Sequence, residues 1–134
     1  MENKVVPKNI FIDMDGVLVD FQKGISELIG HPLGSDNYGH SEYDRRKQEL
    51  TDKRCFRKLP PMVDYHELIG YVKHTGLNWE ILTAAGAINR QLVVYDKTEW
   101  IKEYVDPFVV VTCTYSGNQK KIFSQKGNVL IDDR

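Results

Sequence analysis

Little in this sequence is in excess. Its two cysteines, Cys55 and Cys113, stand far apart and neither belongs to a CxxC pair, which argues against a disulfide framework and a thiolate metal site. Two buried, reduced thiols are expected instead. No apolar run approaches the length that spans a bilayer. The opening MENKVVPKNIFID has an apolar run far too short for a signal peptide, and Asp13 interrupts it. A soluble, cytoplasmic protein with no membrane partner is therefore expected. The formal net charge is only −1, so no general attraction to nucleic acid or to a membrane surface exists, and any anion must be bound by local charge. Internal repeats and low-complexity linkers are missing too. At 134 residues the chain suits one domain with one hydrophobic core.

Four short apolar runs read as strands: Ile10–Ile12, Trp79–Leu82, Phe108–Val111 and Val129–Ile131. They are continuous rather than alternating, which suits strands covered on both faces. Helical spacing lies between them. Val17, Phe21, Ile25, Leu28 and Ile29 form one stripe, stopped by Gly30 and Pro32. Tyr65, Leu68, Ile69 and Val72 form a second, with Asp64 and Glu67 as a capping box and Gly76 as the C-terminal cap. A third helix is predicted from about Asn89 to Tyr104, with Trp100, Ile101 and Tyr104 facing inward. Strands alternating with helices predict parallel β–α–β units, hence an α/β layered fold.

The stretch from about Phe21 to Pro60 breaks that rhythm. It is polar and turn-rich (HPLGSDNYGHSEYD), then basic and helical in character (RRKQELTDKRCFRK). Such an insertion reads as a small cap or lid rather than an idle loop. Its basic residues from Arg45 to Lys58 read first as a solvated helix face, and second as a local attractor for an anionic substrate.

In open α/β sheets, ligands bind beyond the carboxyl ends of the strands. The first run ends in Asp13, Met14, Asp15 and Gly16, and the second in Thr83, followed by Ala84, Ala85 and Gly86. The third ends in Thr112, with Lys120 and Lys121 downstream, and the fourth in Asp132 and Asp133. Each apolar strand thus delivers polar chemistry to one edge. Four carboxylates there demand a cation, and oxygen-only ligands suit a hard divalent ion such as Mg²⁺, which pairs a few carboxylates with substrate phosphate and water. A hydroxyl (Thr83) and an ammonium (Lys120 or Lys121) can bind phosphoryl oxygens. One carboxylate can attack phosphorus, and a second, two positions on, can protonate the leaving oxygen and then activate water.

DMDGV after an apolar strand resembles the first motif of the haloacid dehalogenase superfamily in its phosphatase form; dehalogenases of the superfamily lack the second aspartate, here Asp15. ILT resembles the second motif and IDDR the fourth, in the expected order and covering nearly the whole chain. DMDGVLVDF, CFRKLPPM, KTEW (Lys97–Trp100) and VLIDDR are most similar to 5′(3′)-deoxyribonucleotidases and their bacterial and phage relatives. The resemblance implies a Rossmann-like core at 1–20 and 61–134, with a parallel sheet flanked by helices, and a small helical cap at 21–60 inserted after the first motif. It implies Mg²⁺-dependent removal of phosphate from a small-molecule phosphoester, a nucleoside monophosphate above all.

Carried over residue by residue, the resemblance makes Asp13 the nucleophile and a metal ligand. Asp15 is the general acid/base and offers its backbone carbonyl to Mg²⁺. Thr83 and Lys120 bind phosphate, and Asp132 with Asp133 completes the metal site. Lys121 stays open as the phosphate lysine, because the spacing from Lys120 to Asp132 is slightly long. Lys97 resembles a further family lysine near phosphate, and a solvated helix lysine is the other reading. Phe21, Tyr38, Tyr43 and Phe56 are the aromatics available to stack a base, or to fill a core. Family members continue beyond the fourth motif, so an uncovered sheet edge or helix-packing face is expected in the 134 residues.

Asp20 reads as a capping or loop residue rather than a site residue. His31, His40, His66 and His74 lack metal-ligand spacing and read as structural, as do Trp79 and Trp100. Two other functions stay open: a phosphatase for another small phosphoester or a nucleic-acid 3′-phosphate, and a non-catalytic binding or assembly module.

Overall fold

The structure, a computed structural model, describes residues 8–29, 45 and 48–132. The readings placed on Gly30, His31, Pro32, Tyr38, His40, Tyr43 and Asp133 lie outside those residues. Among these residues four strands form one parallel sheet: β1 (Asn9–Ile12), β2 (Asn78–Ala84), β3 (Val111–Thr114) and β4 (Asn128–Ile131), in the order β3-β2-β1-β4. The chain builds outward from β1 to β3, then crosses back to place β4 on the other side of β1. That reversal between β1 and β4 is a topological switch point, the place beyond whose carboxyl ends ligands bind in open α/β sheets.

Strand alternation assigns the two faces. Ile10 and Ile12 pair in register with Trp79 and Ile81, and Ile81 with Val111, so these side chains share one face. Against it lie α3 (Tyr65–His74) and α4 (Arg90–Tyr104), while α1 (Phe21–Ile29) and the one-turn α2 (Cys55–Lys58) add Ile25, Cys55 and Phe56 to the same core. Phe11 points the other way and meets Phe123 of the 3₁₀ helix Gly117–Phe123 edge to face, at 5.4 Å between ring centroids. That second face is thinly covered. Leu130 of β4 remains 45% exposed, so this edge strand is not enclosed on both faces as its apolar run suggests.

Helix termini follow local chemistry. The Asp20 carboxylate accepts from the Lys23 N–H at 3.2 Å and caps α1, as its position predicts. The capping box at α3 does not form: Asp64 sits at φ −101°, ψ 11°, outside the extended region from which an N-cap side chain folds back, and makes no such bond. Gly76 adopts φ +70° just past α3, a conformation that a side chain would strain. In α4 the buried residues are Val93, Asp96, Lys97, Trp100 and Ile101, an unbroken helical stripe that includes two charged residues.

The third strand lies three residues later than its apolar run indicates. The Asp106 carboxylate accepts from the Phe108 N–H at 2.8 Å and holds a turn there, leaving Phe108 91% exposed. Pairing therefore begins at Val111, Thr112 falls inside the strand, and buried Thr114 takes its end. His66 and His74 are exposed on α3, Trp100 is buried and Trp79 half-buried. Cys55 is buried and its thiol is pushed up to about 11 by that burial; Cys113 is only half-buried. Among the described residues no helix is long and apolar enough to cross a membrane.

Segment 21–59 leaves and returns through a narrow neck. Asp20 N–H donates to Pro60 O at 2.9 Å and Met62 N–H to Leu18 O at 2.8 Å, around an antiparallel bridge between Val19 and Pro61. Gly24 of α1 faces this neck: a Cβ there would lie 2.5 Å from Leu59 Cδ2 and 2.8 Å from the rigid Pro60 Cδ. Overpacking of that kind costs about 1–3 kcal/mol, against about 1 kcal/mol gained by removing a helical glycine. Gly24→Ala should therefore lower stability by about 1 kcal/mol in urea unfolding, whereas an unhindered helical glycine would raise it.

Candidate active site

After β1 the chain turns sharply. Gly16 at φ +81° permits the turn, and its N–H donates to Val19 O at 2.8 Å. The turn leaves Asp13 and Asp15 at the carboxyl end of β1, facing what β2, β3 and β4 bring to that edge. Asp13 N–H donates to Ile131 O at 2.9 Å, so the ends of β1 and β4 are adjacent.

Two buried polar clusters form there, and strand parity dictates their membership. Asp13 follows Ile12 by one residue and belongs to the face of Phe11. From that side Lys120 of the 3₁₀ helix sets its Nζ 2.8 Å from Asp13 Oδ1, which also accepts from the Met14 N–H at 2.8 Å. Thr83 follows Ile81 by two residues and belongs to the opposite face. From α4, Lys97 Nζ donates to Thr83 Oγ1 at 2.9 Å, Asp15 Oδ2 at 2.9 Å and Ala84 O at 2.8 Å. All three ammonium donors are used, and Lys97 is 1% exposed. The solvated reading of Lys97 is overturned. Lys121 is exposed, while Lys120 is buried on the Asp13 carboxylate.

Burial raises the Asp13 carboxyl above its ordinary value, and the negative charge of Asp132 pushes the same way. The Lys120 hydrogen bond and charge and the Met14 N–H oppose this without cancelling it. Asp15 Oδ1 is buried and has no hydrogen-bond partner among the described residues. No group of three His, Cys, Asp or Glu among those residues is arranged to hold a metal ion. Thr112 lies within β3, its Oγ1 3.4 Å from Glu80 Oε1, away from these clusters. The Phe21 and Phe56 rings stack at 6.0 Å, and Phe56 is 5% exposed, so it fills the core.

The basic run is neither a solvated face nor an open attractor throughout. Arg54 forks onto both oxygens of buried Asp96, and Arg57 pairs with Glu103 at 2.6 Å, so this part of the run binds α4. Sequence reasoning missed Arg54 and Asp96, although two charged residues in the apolar phase of α4 were the available signal. It also missed Arg90, whose guanidinium donates to Gly86 O (3.0 Å), Thr114 O (3.1 Å) and Cys113 O (2.7 Å) and lies 3.8 Å over the Tyr115 ring. Arg90 thereby staples the loops after β2 and β3.

No family model matches the chain, and no curated protein matches it. The reading of this site rests on its own geometry and on the motifs that build it.

The raised Asp13 value fixes a sign. Protonated Asp13 contributes stability that is fully present below pH 3.8 and is lost as pH rises through its higher native value. At neutral pH the ionised carboxylate therefore costs stability. Asp13→Asn should melt above the wild type at pH 7 in metal-free buffer, with the gap closing as pH approaches 4. A variant less stable at pH 7 would show that the Lys120 contact outweighs burial.

Proposed function

We propose that the chain is a Mg²⁺-dependent phosphomonoester hydrolase working through an aspartyl-phosphate, with a (deoxy)nucleoside monophosphate as substrate. One observation carries the reading: an acidic pair two residues apart at a switch point, each member held by its own buried lysine, with a buried threonine hydroxyl on the second lysine. The nucleotide preference is supported by the motif resemblance to 5′(3′)-deoxyribonucleotidases, and the phosphatase chemistry by the site itself.

The donor set fits a hard divalent cation. Asp13 and Asp132 stand at adjoining strand ends, where burial first and the like charge of Asp132 second raise the Asp13 carboxyl, both of which a cation would relieve. They would hold Mg²⁺ together with the Asp15 backbone carbonyl, and Asp133, outside the described residues, would complete the set. Bound there, the ion would neutralise phosphoryl oxygens and favour the ionised form of Asp13.

The side chains then divide the work. An Asp13 oxygen attacks phosphorus, forming the O–P bond as the bond to the leaving oxygen breaks; Asp15 gives that oxygen its proton. Asp15 next takes a proton from water, whose oxygen attacks phosphorus and expels the Asp13 carboxylate with inorganic phosphate. Lys120 and Thr83 would hold the phosphoryl oxygens, while Lys97, its three donors already engaged, fixes the Thr83 hydroxyl and the Asp15 carboxylate beside them.

Purified protein should release phosphate from a panel of nucleotides and small phosphoesters only when Mg²⁺ is present. Asp13→Asn should abolish release, and Lys97→Met or Lys120→Met should lower kcat/KM by about 10²–10³. No turnover across the panel together with no Mg²⁺ binding by calorimetry would end the enzyme reading.

A further inference from the structure

The Lys97 ammonium is aimed by residues that never touch the candidate site. Its three acceptors are Asp15, Thr83 and Ala84, and the remaining approach is closed by the Phe56 ring, whose centroid lies 5.1 Å from Nζ. Phe56 belongs to α2, the last helix of segment 21–59, so the dryness of Lys97 depends on how α2 is held against α4.

That contact centres on Arg54 and Asp96. Asp96 immediately precedes Lys97 and is 1% exposed, and its carboxylate is held by the Arg54 fork, whose Nε donates to Oδ2 at 2.7 Å while its Nη2 bonds Oδ1. A bidentate guanidinium fixes both distance and orientation, as a single ammonium does not. Arg54 adopts φ +62° to make it, a conformation unfavourable for a side chain other than glycine. Arg54 lies two residues before Phe56 and Asp96 one before Lys97, so the fork sets the spacing between ring and ammonium. Further ties flank it, besides the Arg57–Glu103 pair. Asn89 Nδ2 donates to Thr51 Oγ1 at 2.8 Å at one end, and Trp100 Nε1 to Leu59 O at 2.8 Å at the other.

We infer that Arg54 and Asp96 are a positioning pair, which seats Phe56 over the Lys97 ammonium and keeps that ammonium dry and directed at Asp15 and Thr83. Its catalytic meaning rests on the phosphatase reading. Its structural content does not.

The test uses the full chain and the variants Arg54→Ala, Arg54→Lys and Asp96→Asn, with acetic anhydride as the amine probe and residue-resolved mass spectrometry as the readout. Lys120 is the internal control, because it is buried from the opposite face by the 3₁₀ helix. In the wild type both lysines are protected while exposed Lys102 reacts. Arg54→Ala should raise Lys97 acetylation by about tenfold or more and leave Lys120 unchanged, as expected of a local opening. Arg54→Lys should fall between it and the wild type. In the kinetic arm, Arg54→Ala should lower kcat/KM for phosphate release by about tenfold or more, with its Mg²⁺ dependence unaltered. Unchanged Lys97 protection in Arg54→Ala would overturn the proposal. So would a joint rise of Lys97 and Lys120 in every variant, which would make the pair a general stabiliser. Wild-type protein without turnover would sink the phosphatase reading, while the acetylation pattern still decides the positioning role.

Discussion

Two ammonium groups arriving from opposite faces of one sheet, Lys120 on Asp13 and Lys97 on Asp15, make the carboxyl edge of β1 habitable for charge. A buried carboxylate such as Asp13 is tolerated when it is paired and hydrogen-bonded, whereas Asp15 keeps about a third of its side chain in water. Each lysine is itself withdrawn from water, so each must be delivered by apolar packing beside it. Trp100 and Ile101 seat α4 on the Ile10/Ile12 face, and Phe123 seats the 3₁₀ helix on Phe11. The pairings follow from the two-residue period of the strands, which sends Asp13 to one side and Thr83 to the other.

Lys97 ties the site to the rest of the molecule. It occupies a core position of α4, so the helix cannot shift or rotate without moving the ammonium, and segment 48–59 leans on that same helix through Arg54, Asn89 and Trp100. The neck at residues 18–20 and 60–62 closes the segment at its base, and Gly24 lets α1 come within packing distance of Leu59 and Pro60. The geometry of the candidate site and the packing of segment 48–59 are therefore solved by one helix.

The sheet and most of this edge were legible in the residues, because apolar runs and the polar residues after them are local signals. Ile10–Ile12, Trp79–Leu82 and Val129–Ile131 fall within strands, and Asp13, Thr83 and Asp132 stand in or beside their carboxyl ends. The third strand was misread because Phe108 and Val109 are apolar without being paired, and only the Asp106 turn reveals where the ladder begins. The preference for Lys120 over Lys121 rested on motif resemblance alone, since neighbours in a tight helix point in different directions and no local pattern says which one faces Asp13. Lys97 was legible in principle: Val93, Lys97, Trp100 and Ile101 share a helical phase, and a lysine in that phase has to find partners indoors. Arg54 and Asp96 were not, because their pairing spans 42 residues and two elements whose mutual placement no local pattern specifies.

Asp13 and Lys120 are 107 residues apart along the chain, and their meeting has a kinetic side. The length-dependent entropy of closing a loop of that size is about 4 kcal/mol, and it must be met before the contact returns anything. In a parallel sheet β4 docks on β1 only after such a closure, so this pairing raises the contact order, which slows folding. During synthesis the carboxylates of the β1 turn emerge and stay hydrated long before Lys120 exists. The Asp13–Lys120 half of the cluster can thus close only after residue 120 has been made, whereas the Lys97 half needs nothing beyond the β1 turn, β2 and α4.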